Sequence, residues 1–266
     1  MSVLDPLTHA LAAEITAAHT GLTTLGADPA SGATWLVSIA AVVAVVRLAL
    51  LPIAAHGVRL AHASARARPQ LEELAKRYRE RKDPQSIRAI RDERRRIAAQ
   101  HGVSRLGWLP LLAQVPIWFA LYHLLADVAA GQTAGVMDAG LVASLGAATI
   151  LGVRLAERGY LGAGPTHLAV VAGLACAAAV LSYLTQKYLI VPNSITGTLP
   201  DAMVQAQHLM PALSALTMLA AGGVVPVALL AYWVCNAVWT LGQSAVIFRW
   251  FPTPGSAAAA RRATRT

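Results

Sequence analysis

Arg47 is the only charged residue in an apolar run from Trp35 to Ile53. A cation near the middle of a membrane-length helix costs about 2.5–3.5 kcal/mol on insertion scales. With His56 taken as the inner end of the run, Arg47 lies nine residues inside it, about 13 Å at about 1.5 Å per residue. Helical side chains lean toward their own N-terminus, here the outer side, so this guanidinium leans away from the nearer water. Snorkelling and a plain ion pair are the alternatives, and a polar cavity within a helix bundle is the better account. The remaining apolar runs contain no Asp or Glu. The cation therefore needs water or neutral polar neighbours, for which Gln114, Thr185, Gln186, Tyr232, Asn236 and Gln243 are candidates. The missing carboxylate also counts against a proton-coupled transporter, which needs a titratable relay. Tyr232, Asn236 and Gln243 fall at i, i+4 and i+11, hence on one helix face beside Trp233. Cavity lining and helix–helix hydrogen bonding are both open for that face.

Other chemistry is not provided for. There is no GxSxG, no HExxH and no phosphate-binding loop, so the chain is not expected to be an enzyme. The eight histidines are scattered without ligand spacing, and a surface or interfacial setting is expected for each. Cys176 and Cys235 lie inside apolar runs without CxxC spacing, which fits small buried hydrophobes. No metal, cofactor or disulfide is expected.

The elements that position Arg47 follow from composition. Of 266 residues, 56% are hydrophobic and 13% charged, about half the charged share of a soluble domain, and the mean hydropathy is +0.53. Several apolar runs reach the roughly 20 residues that cross a bilayer. The expected fold is an all-α membrane protein, a bundle of five transmembrane helices. The spans are placed at 33–56, 106–126, 166–188, 207–224 and 225–248. The outer segment 127–165 holds a 13-residue apolar stretch, Leu141 to Val153, too short to cross and read as interfacial or partly inserted. Residues 1–32 read as an outer segment in which Leu4 to Leu25 form either an interfacial helix, with Asp5 available to cap its start and Leu7, Leu11, Ile15 and Leu22 on one face, or a flexible terminus. Trp35 is expected to anchor the outer end of the first span. No signal peptide is expected, since the first basic residue is Arg47.

The formal net charge of +9 is concentrated. Residues 56–105 carry 14 Lys and Arg against six acids. Nucleic-acid binding is one reading of such a block; in a membrane protein the positive-inside bias explains it better. This loop, 57–105, is expected to form a helical hairpin. Pro69 suits a first helical turn, Lys82-Asp83-Pro84 a turn, and Gly102 a helix end. Leu71, Leu74 and Tyr78 mark one arm, and Ile87, Ile90 and Ile97 the other. Residues 189–206 read as a second inner loop and 249–266 as a basic inner tail, disordered from Pro252. Five spans with the N-terminus outside put both basic blocks and the C-terminus in the cytoplasm. Nineteen Arg against three Lys, with abundant Ala, point to a GC-rich bacterial source.

Five segments in order resemble the YidC-type membrane protein insertase family: VVRLALLPI (45–53), RPQLEELAKRY (68–78), HGVSRLGWLPLLAQVPIWFALYHLL (101–125), HLMPAL (208–213) and PVALLAYWVCNAVWTLGQ (226–243). The chain departs from the family at Ser104-Arg105, where Asn-Pro is usual, at Ala228, where glycine is usual, and at Val43, which is polar in some members. The resemblance implies a lipid-facing hydrophilic groove containing Arg47, lined by Gln114, Gln186, Tyr232, Trp233, Asn236 and Gln243. It implies recruitment of substrate or ribosome through Arg77, Arg81, Lys82, Arg94, Arg95 and Arg96. The implied partners are nascent membrane proteins, the ribosome, the Sec translocon and the bilayer, and the implied setting is the bacterial inner membrane, with the protein acting as a monomer. A small transporter or channel using Arg47 as an anion site is the alternative, separable by liposome flux. A structural membrane scaffold is a third possibility, and would tolerate every groove substitution.

Overall fold

The computed structural model describes residues 4–78, 83–103, 109–162, 164–195 and 201–264. The expectations for Arg81, Lys82 and Ser104-Arg105 fall outside these residues. Among the described residues the chain is mostly helical and divides into two compact units: Met1–Ala49 with Ala113–Gln186 and Leu209–Gln243, and Leu50–Leu112 with Lys187–His208 and Ser244–Thr266.

The first unit opens with α1 (Asp5–Thr24) packed on α2 (Gly32–Ala49). Asp5 is the first helical residue, not the cap expected of it; the cap position is Leu4. Leu11, Ala12, Ile15 and His19 of α1 are buried. Leu11, Ala12 and Ile15 belong to the same hydrophobic cluster as Trp35, whose indole is fully buried, stacks on His19 with ring centres 4.0 Å apart, and donates Nε1–H to Ser144 Oγ at 3.2 Å. Trp35 is therefore not the interfacial anchor its position at the end of an apolar run suggested, because α1 folds over it. His19 also departs from the expected surface setting, its Nε2 lying 3.1 Å from the Pro29 carbonyl. Gly32 is required where α2 passes the turn after α6, since a Cβ there would meet the Thr149 carbonyl.

The long apolar helices are α5 (Leu109–Ala129), α7 (Pro165–Thr185), α8 (Asp201–Gly222) and α9 (Val227–Trp250). At about 1.5 Å per residue their 21 to 24 residues reach more than 30 Å. Among the described residues, Gly32–Ala49 and the run Pro165–Asn193 are long and apolar enough to cross a membrane. Exposed apolar side chains mark the long helices: Leu168 and Val180 on α7, Leu209, Leu213 and Leu216 on α8, and Val238 on α9 are each about half exposed or more. The expected interfacial stretch is a nine-residue helix, α6 (Ala139–Ala147), capped by Asp138 accepting from Leu141 N–H at 2.8 Å. A two-stranded hairpin follows, β1 (Thr149–Ile150) with β2 (Val153–Arg154), a small addition to an otherwise helical fold.

The start of α9 is the centre of this unit. Every residue from Val227 to Trp233 is buried. Its first amides donate to the 155–157 loop, Val227 to Glu157 O and Ala228 to Leu155 O, both at 2.9 Å, which satisfies donors a helix N-terminus otherwise leaves unpaired. The same loop holds His167, also expected at a surface but buried here, with Nδ1 2.7 Å from Glu157 and Nε2 2.8 Å from the Gly159 carbonyl.

The second unit contains α3 (Leu51–Arg77) and α4 (Pro84–Gln100). The separation of α2 from α3 at Leu50 coincides with Pro52, whose ring nitrogen cannot donate to the preceding turn. Pro69 is consequently inside α3 rather than in a first turn. Asp83 caps α4 by accepting from Ser86 N–H at 2.8 Å. Gly102 ends it at φ +69°, with Val103 N–H returning to Ala98 O at 2.8 Å. Ala67, Leu74 and Ile97 form the small core between the arms, flanked by Leu71, Tyr78, Ile90 and Val103. The tail is not disordered as expected. Ser256 caps a further helix, α10 (Ala257–Ala263), and Arg262 donates to the Trp250 carbonyl at 2.8 Å.

Candidate functional site

Helices α2 and α9 place Arg47 opposite a ladder of polar side chains. Asn236 and Thr240 are one turn apart on α9 and share a face with Tyr232. Arg47 is half-buried. It donates to Asn236 Oδ1 twice, from Nε at 3.1 Å and Nη2 at 2.6 Å, and from Nη2 to Thr240 Oγ1 at 3.2 Å. Thr240 in turn donates to the Asn236 carbonyl at 2.8 Å, which fixes the hydroxyl as an acceptor for the guanidinium. All three bonds end on neutral groups, and no ion pair to Arg47 occurs among the described residues. Hydrogen bonds to a charged group contribute about 1.5–3 kcal/mol each, but amide and hydroxyl dipoles leave the full positive charge in place. The site can therefore attract an anion.

Beside the guanidinium is a cavity of about 10 Å³, lined by Val42, Val43, Val46, Arg47, Gln114, Ile117, Leu121, Tyr232 and Asn236. That is room for about one water. Of the residues expected in a groove, Arg47, Gln114, Tyr232 and Asn236 come together here. Three others are engaged elsewhere. Gln186 donates to Ser182 and Ser214 at 3.0 and 2.8 Å. Gln243 accepts from Trp239 Nε1 at 3.2 Å. Trp233 is buried in the core. The residue missed from sequence is Thr240, although its position four after Asn236 was a usable signal.

In the second unit, Arg77, Arg94, Arg95 and Arg96 are exposed. Their acidic neighbours are loose: Arg95 is 3.8 Å from Asp92 and Arg96 is 4.0 Å from Glu93. Exposed pairs of this kind contribute about 0–1 kcal/mol, so the charges remain available to a partner. Arg94 also borders an open cavity of about 1240 Å³ with Arg68, Lys76 and Glu72.

The family model described as 60Kd inner membrane protein matches residues 27–254, most of the chain. A protein of Streptomyces avermitilis named membrane protein insertase YidC is 34% identical over 246 residues, covering 88% of this chain and 55% of the relative. Proteins of the same name from Tropheryma whipplei (strain Twist) and Mycobacterium tuberculosis (strain H37Rv) are 26% and 25% identical, covering 90% and 83% of this chain and 81% and 66% of their own lengths. The chain thus spans about half the length of the Streptomyces relative. With a match that takes in both Arg47 and the α9 ladder facing it, the chain belongs to the 60Kd inner membrane protein family, the YidC family of bacterial membrane proteins.

Proposed function

We propose that this protein is a membrane protein insertase of the bacterial inner membrane, receiving nascent chains from the cytoplasm and releasing them into lipid. The observation that carries the reading is Arg47, a cation within an apolar bundle held, among the described residues, by neutral partners. In this reading α2, α5, α7, α8 and α9 are five spans, with the N-terminus outside and the C-terminus inside, so that the basic α3–α4 hairpin and α10 are cytoplasmic. The Arg47 site is the polar end of a groove open to lipid. A hydrated cation lowers the cost of carrying a polar tail partway across, and attracts acidic residues in that tail. The apolar segment that follows transfers into lipid along the oily faces of the bundle. Burial at roughly 25 cal/mol per Å² supplies the driving force without ATP. Arg77, Arg81, Lys82, Arg94, Arg95 and Arg96 recruit the nascent chain or the ribosome by charge, the Sec translocon is a further partner, and a monomer suffices.

Expression in cells depleted of their own insertase tests this reading. Insertion of a single-span client, read by protease protection of its translocated tail, should be restored. Accumulation of the protein in the membrane without any recovery would contradict it.

A further inference from the structure

We infer that Asn236 and Thr240 set the client specificity of the Arg47 site, acting as a neutral placeholder that an incoming carboxylate displaces and an incoming amide or hydroxyl does not. The inference rests on the insertase reading and adds to it the chemistry of selection. Asn236 Oδ1 already occupies the position an anion would take, within 2.6 Å of Nη2 and 3.1 Å of Nε, and Thr240 holds a further bond from Nη2 at 3.2 Å. The adjoining space of about 10 Å³ admits about one water, so a carboxylate that pairs with the Nε–Nη2 edge must take the place of Asn236 Oδ1. Binding is therefore an exchange. A client amide or hydroxyl replaces one neutral acceptor with another and gains nothing. A carboxylate replaces a dipole with a full charge, and its two oxygens match the guanidinium fork. The site thereby rejects neutral tails without any steric filter, since only an anion gains by the exchange.

The test is Asn236→Asp, which supplies the carboxylate from within. Two clients differing only by Asp→Asn in their N-terminal tails are compared for insertion in cells carrying the full-length protein in place of the native insertase. The wild-type protein should favour the acidic tail, and Asn236→Asp should reduce its insertion about tenfold, to the level of the neutral-tailed client. The thermal midpoint of the Asn236→Asp protein in detergent should match or exceed that of the wild type, a gain abolished when Arg47→Gln is added. A purely structural Asn236 predicts the reverse, equal loss for both clients with Asn236→Leu and unchanged discrimination with Asn236→Asp. Retention of acidic preference in Asn236→Asp would overturn the placeholder while leaving the insertase reading intact. A lowered midpoint would also overturn it, by showing that the new carboxylate does not meet Arg47. A wild-type protein that inserts both tails equally would overturn the placeholder and leave the insertase reading standing, whereas one that inserts neither would overturn the insertase reading itself.

Discussion

Arg47→Ala should reduce insertion of single-span, acidic-tailed clients by roughly tenfold or more, the scale of a lost charge-assisted contact, with little effect on a neutral-tailed control. The protein itself should still accumulate. Removing the side chain leaves Asn236 Oδ1 without its two bonds, a cost of about 1–3 kcal/mol. It also removes a cation whose placement in a span costs about 2.5–3.5 kcal/mol. The two terms oppose, so the fold is nearly indifferent while the function is not. Arg47→Lys separates charge from shape. It keeps the cation but loses the planar fork that reaches Asn236 through Nε and Nη2 together, and should fall between wild type and Arg47→Ala. Protease protection of the client tail measures all three. Equal insertion by wild type and Arg47→Ala, at equal protein levels, would remove the groove role.

The largest stability effect is expected at Trp35. Trp35→Ala empties a fully buried indole site, breaks the stack on His19 and strands Ser144 of its donor. Ser144 Oγ also donates to the Pro29 carbonyl at 2.9 Å, and His19 Nε2 lies 3.1 Å from the same oxygen. One aromatic residue thus ties the α1–α2 turn to α6. Truncating a buried Trp costs about 3–5 kcal/mol, a fall of roughly 10 °C in thermal midpoint for a chain of this size. Trp118, 41% exposed on α5, is the control and should shift the midpoint little on replacement by Ala. Similar shifts for the two variants would contradict the account of α1 as a packed element.

Much of this was legible because membrane solvation constrains sequence so strongly. Long apolar runs coincide with the helices α2, α5, α7, α8 and α9, and among the described residues Gly32–Ala49 and Pro165–Asn193 are long and apolar enough to cross a membrane. Arg47 stood out because a lone charge in such a run demands a reason, and the i, i+4 spacing of Tyr232 and Asn236 named part of its setting. Thr240 is a weaker signal: its spacing from Asn236 puts it on the same face, but a hydroxyl in an apolar helix can bond its own preceding carbonyl, as it does here, so its polarity alone does not mark it as facing a cation. Gln186 and Gln243 have the same polarity as Gln114, and only packing determines that they pair with Ser182, Ser214 and Trp239 instead. The burial of Trp35 and His19 depends on α1 lying across α2, a tertiary fact with no local signature. The 149–154 hairpin turns through Leu151 at φ +50° and Gly152 at φ +83°. Such two-residue turns favour Asn-Gly, so a leucine in the first position conceals the turn. The α3–α4 hairpin was easier, because Asp83-Pro84 and Gly102 mark its helix ends with the residues that physically cap them.

Photo-crosslinking tests the central claim most directly. A photoreactive residue replacing Ile117, which lines the cavity beside Arg47, should give an adduct with a ribosome-bound, acidic-tailed nascent client. The adduct should weaken sharply when the tail aspartates become asparagine. Normal insertion of that client with no adduct from position 117, or an adduct indifferent to the tail's charge, would mean that polar tails cross somewhere other than past Arg47.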